Sequence, residues 1–207
     1  MYTIQDKLIV IPVRMKSKRF PGKPLVVITG KSIIQHVYEK AIAAQVGDVV
    51  VACCDAKISK HLKSHNIPYV MTTQKLKSGT DRVFQAVSKL TKKKKYKYII
   101  NLQGDLPNIF PKDIKSLVKI LISRDTNMVT LVSKIVEKKK IYDKNIVKVA
   151  LSRNNRIHKA IYFSRSPIPY GAKIYYEHVG IYGYNIKILE KFVQLKEGSL
   201  EKLESLE

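Results

Sequence analysis

From residue 7 to residue 133 the chain alternates strand-sized apolar runs with segments of helical period, and that alternation narrows the possible architectures sharply. Residues 7–13, 49–52, 68–71, 98–102 and 128–133 read as strands. Between them, Ser32 offers an N-cap for a helix to about residue 45, with Ile33, Ile34, Val37, Tyr38 and Ala41 on one face. Asp55 is placed to cap residues 56–65, residues 79–91 carry Val83, Phe84, Val87 and Leu90 at helical spacing, and 111–122 reads as a further helix. Successive strand–helix units predict an α/β fold: a mostly parallel central sheet flanked by helices on both faces.

The texture changes after Val136. Residues 146–151 and 157–163, around a polar turn at 152–156, predict an antiparallel hairpin. Residues 174–184 read as extended, and 186–193 and 200–206 as helices. There is no internal repeat and no flexible linker. The expectation is a single domain over residues 1–207 with a β-rich excursion in its second half.

Composition removes several classes of function. At 45% apolar the chain can bury a core, and no apolar run approaches the roughly 18 residues of a membrane span. The first residues lack a basic stretch followed by an apolar one, so no signal peptide is expected. Cys53 and Cys54 are adjacent and supply neither a disulfide framework nor a metal knuckle, which points to a reduced, cytosolic protein. The net charge of +23, from 39 Lys+Arg against 16 Asp+Glu, raises nucleic-acid binding. Lysine is nevertheless spread over the whole chain, including helix backs such as Lys57, Lys60 and Lys63. The tight runs at 92–95 and 138–140 fall where loops are expected and are not interleaved with aromatics. A lysine-covered surface whose field draws in small anionic substrates accounts for the charge without a nucleic-acid or membrane partner.

Three stretches carry candidate chemistry. The loop after the first strand holds Arg14, Lys16, Lys18, Arg19, Gly22 and Lys23, and ligands of open α/β sheets bind outside the carboxyl ends of strands. Fixed cations and accessible backbone N–H groups there suit a polyphosphate, although an ordinary solvated basic loop has the same composition. The loop is no Walker A motif: Gly30, Lys31 and Ser32 end like one, but Leu25 stands where its first glycine belongs. A Gly-x-Gly-x-x-Gly dinucleotide fingerprint is also lacking. Ser78-Gly79-Thr80-Asp81-Arg82 opens a helix and reads either as a plain N-cap with an acidic first turn or as an anion or base-edge site. Asn101-Leu102-Gln103-Gly104-Asp105 ends an apolar strand in a carboxylate that serves equally in a turn or as a Mg²⁺ ligand. His61 and His65 lack the glutamate of a zinc site, and His178 reads as a buried hydrogen-bonded residue or a substrate ligand.

In chain order these stretches, from Ile11-Pro12-Val13-Arg14 and Arg19-Phe20-Pro21-Gly22-Lys23-Pro24 onward, are joined by Phe163-Ser164-Arg165-Ser166-Pro167-Ile168-Pro169 and His178-Val179-Gly180-Ile181-Tyr182-Gly183-Tyr184. Together they resemble the 3-deoxy-manno-octulosonate (KDO) cytidylyltransferases, the CMP-KDO synthetases. The resemblance implies a Rossmann-like nucleotide-diphospho-sugar transferase fold and a cytoplasmic homodimer. It implies transfer of CMP from CTP to KDO with Mg²⁺ as cofactor, for lipopolysaccharide biosynthesis. By matching position, Arg14, Arg19 and Lys23 would hold the triphosphate, with Lys23 meeting transition-state charge. Ser78, Thr80, Arg82 and Gln103 would line the cytidine pocket, and Asp105 would bind the metal. Arg165, His178, Tyr182 and Glu207 would face the sugar, with 137–184 as the sugar-binding and dimer part. Leu76 stands where the family has a histidine, and the segment between Pro169 and His178 is shorter than usual. The family continues past the position of Glu207 to a second metal-binding aspartate, so an impaired CTP-binding relic is one expectation. A cytidylyltransferase for another acidic sugar is the other.

Overall fold

A computed structural model describes residues 6–16, 20–91, 95–123, 126–152 and 157–206. In chain order the elements are β1 (Lys7–Pro12), a single 3-10 turn (Lys23–Leu25), the short pair β2 (Val27–Ile28) and β3 (Lys31–Ser32), α1 (Ile33–Ala43), β4 (Asp48–Cys53), α2 (Ala56–Ser64), β5 (Tyr69–Met71), α3 (Gly79–Leu90), β6 (Tyr98–Leu102) and α4 (Pro111–Ser123). They continue as β7 (Met128–Lys134), α5 (Lys138–Ile141), β8 (Lys148–Ser152), β9 (Lys159–Ser164), β10 (Tyr176–Asn185), α6 (Ile186–Phe192) and α7 (Ser199–Glu204). Two compact units result. The first comprises Met1–Val129 and Ile181–Leu195, the second Thr130–Gly180 and Lys196–Glu207. The second unit opens at residue 130, and β10 begins in the second unit and ends in the first.

In the first unit the strand order is β5-β4-β1-β6 followed by the end of β10. β1 pairs in parallel with β4 on one edge and with β6 on the other, β4 pairs in parallel with β5, and β10 runs antiparallel to β6. All six residues of β1 are buried, as a strand covered on both faces requires. Leu8 and Val10 share a cluster with Val83, Ala86 and Val87 of α3 and with Tyr184 and Leu189. Alternation turns Ile9 and Ile11 to the opposite face, where α4 lies against β10 closely enough that a Cβ at Gly183 would fall 2.7 Å from Leu117 Cδ2. The expected parallel sheet with helices on both faces is thus present.

Capping residues explain where two of the helices start. Ser32 closes a capping box with Gln35 at the start of α1, its backbone N–H donating to Gln35 Oε1 at 2.8 Å. Ser78 does the same with Asp81 at α3: the Asp81 N–H donates to Ser78 Oγ at 3.0 Å, and the Ser78 N–H to Asp81 Oδ2 at 3.1 Å. Asp55 occupies the expected N-cap of α2, but its side chain does not cap. Its Oδ2 accepts instead from the Met15 N–H at 2.9 Å, which ties down the loop after β1. Of the two lysine runs, residues 138–140 form the one-turn helix α5 instead of the loop expected there. The other lies mostly outside the described residues.

The second unit contains the expected hairpin, β8 antiparallel to β9, with an irregularity between Ala150 and Leu151. Lys148 on β8 is fully buried, and its Nζ donates to the carbonyls of Asp143 at 2.8 Å and Ile146 at 2.6 Å. Burial pulls its pKa down from the ordinary lysine value, and the two carbonyls supply the partners a buried ammonium needs. Among the described residues, no helix is long and apolar enough to cross a membrane.

Gly183→Ala is expected to destabilise the protein by about 1–3 kcal/mol, because the added methyl collides with Leu117 in a filled interior. Urea unfolding should show the lowered midpoint, and an unchanged midpoint would mean that α4 packs less closely than described.

Candidate active site

The strand order reverses direction at β1: β4 and β5 lie on one side of it and β6 on the other. At such a switch point the loops leaving neighbouring strands part, and a crevice opens at their carboxyl ends. A cleft of about 190 Å³ occupies this position, lined by Val13, Arg14, Lys23, Ser78, Gln103 and Asp105 among others. Three segments build it. The loop after β1 brings Arg14 and Lys23, the turn after β6 brings Gln103 and Asp105, and the start of α3 brings Ser78 and Gly79.

Two glycines permit this convergence. Gly104 lies so close to the end of β1 that a Cβ there would overlap Val13 Cγ1 and sit 3.1 Å from the Pro12 carbonyl oxygen. Gly22 has φ 77°, a left-handed value that turns the loop back into the 3-10 turn carrying Lys23. Within the cleft, Lys23 Nζ donates to Asp105 Oδ2 at 2.9 Å, with the two side chains 33% and 52% exposed. A half-exposed ion pair contributes little to stability. Its content is geometric: it places a cation and a carboxylate from residues far apart in the chain at one point.

Thr80 and Arg82 sit behind the lining. Thr80 is buried and accepts from Asn101 Nδ2 at 3.4 Å; Asn101, itself 0% exposed, accepts from Gln103 Nε2 at 3.1 Å. Arg82, expected in the cytidine pocket, is not part of the cleft wall. It lies a helical turn further in, 2% exposed, and donates to Thr72 Oγ1 and to the Thr73 carbonyl, bracing the segment between β5 and α3. Burial pushes the Cys53 thiol up to about 11 and raises Cys54 as well, so both stay protonated and neither is an activated nucleophile. Arg19 and Glu207 lie outside the described residues.

The remaining expected residues fall on β10 and just after β9. Tyr182 belongs to the first unit, stacked on Tyr184 with ring centroids 6.1 Å apart. In the second unit, His178 Nε2 meets Thr130 Oγ1 at 2.9 Å, and its ring makes an edge contact with Phe163 at 5.3 Å. Burial lowers its pKa to about 4, so the ring is neutral at physiological pH. Arg165 is held by three backbone carbonyls: Nε donates to Glu204 at 2.7 Å, one terminal nitrogen to Lys144 at 2.9 Å, and the other to Ser205 at 3.2 Å. In return the Glu204 carboxylate accepts from Ser164 Oγ at 2.6 Å, the Arg165 N–H at 2.8 Å and the Tyr162 hydroxyl at 3.3 Å. The Arg165 N–H and Ser164 bonds, in that order, hold its pKa below the ordinary range. Sequence reasoning missed Asn101, Thr130 and Glu204. Asn101 alone had a visible signal, a polar residue inside an otherwise apolar strand.

Burial holds His178 at about 4, below the ordinary 6.5, so between those values the folded protein binds fewer protons than the unfolded chain. Stability should therefore fall as pH drops from about 6.5 towards 4, and His178→Gln should remove that part of the loss. Thermal unfolding of both proteins across this range checks the expectation; parallel curves would contradict it.

A family model described as cytidylyltransferase matches residues 8–207. The 3-deoxy-manno-octulosonate cytidylyltransferase of Paramagnetospirillum magneticum is 40% identical over 202 residues, covering 97% of this chain and 82% of that protein. The enzyme of the same name from Thermodesulfovibrio yellowstonii is also 40% identical, covering 96% and 82%. A solved CMP:2-keto-3-deoxy-manno-octonic acid synthetase complexed with CTP superposes with a TM-score of 0.86 at 39% identity, covering 97% of this chain and 82% of that one. A cytidylyltransferase from Leptospira borgpetersenii, at 16% identity and a TM-score of 0.60, shares the fold over 95% of this chain and 67% of its own. With its switch-point cleft and a match spanning nearly every residue, the chain belongs to the cytidylyltransferase family, in its 3-deoxy-manno-octulosonate branch.

Proposed function

We propose that this chain is a nucleotidyltransferase that moves CMP from CTP to the anomeric hydroxyl of KDO, releasing pyrophosphate. The observation that carries the reading is the meeting of Lys23 and Asp105 in the switch-point cleft; the relative solved with CTP supports the nucleotide's identity. The sugar oxygen attacks the α-phosphorus while the bond from that phosphorus to the bridging oxygen of pyrophosphate breaks. The hydroxyl proton passes to solvent or base, and the electron pair leaves on pyrophosphate. Little covalent work falls to the protein in such a transfer, which depends on alignment and on offsetting charge. Lys23 and Arg14 supply fixed positive charge to the triphosphate, and an ammonium at position 23 can follow the charge developing on the leaving oxygens.

Asp105 is a half-exposed hard-oxygen donor on the cleft wall. That suits Mg²⁺, which takes one or two carboxylates and completes its shell with phosphate oxygens and water. Bound there, the ion would neutralise phosphate charge. We assign Ser78 and Gln103 to the cytidine end. Arg165 and His178 are assigned to the sugar acid, where the neutral imidazole acts as a hydrogen-bonding group and not as a cation. Arg165 has five N–H groups, so the three carbonyl bonds leave two for a carboxylate. Exposed Ile161, Tyr170, Leu200 and Leu203 in the second unit support a homodimer, and the free thiols of Cys53 and Cys54 support a cytoplasmic setting.

Pyrophosphate release with CTP, KDO and Mg²⁺ tests the proposal, and its absence under all metal conditions would refute it. In this assay Lys23→Ala is expected to lower turnover by about 10²–10³, the usual loss of one preorganised charge or donor. Asp105→Asn is expected to raise the Mg²⁺ concentration needed for half-maximal rate. An unchanged rate in the first variant would remove Lys23 from the mechanism.

A further inference from the structure

We propose that Asp55 is a positioning residue for triphosphate binding, fixing the phosphate loop through the backbone of Met15. The inference rests on reading the cleft as a CTP site and adds a residue outside its wall. The Met15 N–H donates to Asp55 Oδ2 at 2.9 Å, and the Met15 carbonyl accepts from the Gly22 N–H at 3.0 Å. A backbone N–H only donates, so neither bond can be reversed. Arg14 immediately precedes Met15, and Lys23 immediately follows Gly22. Both cations that this loop sends into the cleft thus sit next to residues of one hydrogen-bonded node. Arg14 is also held from its other side, where the Val13 N–H donates to the Ala52 carbonyl at 2.9 Å. The anchor itself is fixed: Asp55 lies between β4 and α2, its carbonyl accepts from the Ser59 N–H at 3.0 Å, and its Oδ2 also accepts from the Cys54 thiol at 3.3 Å.

Arg14 is exposed, so its long side chain takes its place from the backbone that carries it. Met15 and Asp55 are both half-buried. If the carboxylate is removed, water can take over the Met15 N–H; the fold is then kept while the loop gains freedom. That freedom weakens binding, because cations held in place beforehand need no further ordering when the polyphosphate arrives. Charge alone argues the other way. Asp55 places a negative group one hydrogen bond from a loop that receives a polyanion, and by Coulomb's law its deletion should tighten CTP. Positioning and simple repulsion therefore differ in the sign of the effect.

The test is calorimetric titration of the protein with CTP and with CMP, both with Mg²⁺ and without sugar acceptor, alongside thermal unfolding. CMP lacks the two outer phosphates, so the CTP-to-CMP affinity ratio reads the loop cations and cancels the cytidine end. The wild-type protein should bind CTP more tightly. Asp55→Ala should lower the ratio about tenfold, the order of re-ordering one or two long side chains on binding. Asp55→Asn keeps an oxygen acceptor for the Met15 N–H without the charge, and should hold the ratio at the wild-type value or above it. Should Asp55→Ala fail to fold, Asp55→Ser serves instead: serine is a good N-cap for α2, but its hydroxyl reaches one bond less far, so the ratio should fall likewise. A folded Asp55→Ala or Asp55→Ser protein whose ratio equals or exceeds the wild-type one overturns the inference, as does an Asp55→Asn protein that falls as far as the truncated variant. A wild-type protein that binds CTP no more tightly than CMP overturns the triphosphate reading of the cleft itself, a result distinct from the other two.

Discussion

Strand β1 is the member on which the first unit depends. All its residues are buried, both its edges are paired in parallel, and both its faces are covered. Such a strand has one place to release functional groups, its carboxyl end. Because the sheet's order reverses there, that end opens into a crevice instead of the flank of a neighbouring connection. Arg14 and the lysine-bearing turn follow from this placement. So does the close seat of Gly104, where any side chain would push the β6 turn away from β1 and separate Asp105 from Lys23.

Much of this architecture is legible in the residues, because it rests on local signals. Apolar runs of strand length, helical spacing at Val83 and Val87, and serine caps at 32 and 78 each act within one or two turns of chain, and the elements start and stop close to where these signals put them. What escapes local reading is governed by partners far along the sequence. Asp55 stands where an N-cap belongs, yet spends its carboxylate on the Met15 backbone some forty residues earlier. Arg82 carries the charge of a ligand-binding residue, but the Thr72 hydroxyl and Thr73 carbonyl draw it inside. Lys148 would pass for a surface lysine in any propensity argument, until two turn carbonyls are seen to enclose it.

The site residues divide along the same line. Arg14, Lys23, Ser78, Gln103 and Asp105 belong to segments that leave sheet strands or open a helix, so topology alone brings them together. Asn101 and Glu204 bond other side chains; the apolar strand around Asn101 makes it stand out, whereas nothing within a few residues marks Glu204. The large positive charge of the chain is a property of the whole surface. What distinguishes the cleft is one acidic group set among its cations.

The reciprocal bonds between Arg165 and Glu204 bear on the integrity of the second unit. The carboxylate satisfies three donors around the end of β9, and the guanidinium satisfies two carbonyls at the end of α7. Each partner thus terminates the other's element, in the manner of a buckle and not of a spring. Peeling the last turn away would break these bonds together, so polar contacts rather than burial seat α7, which buries no residue of its own.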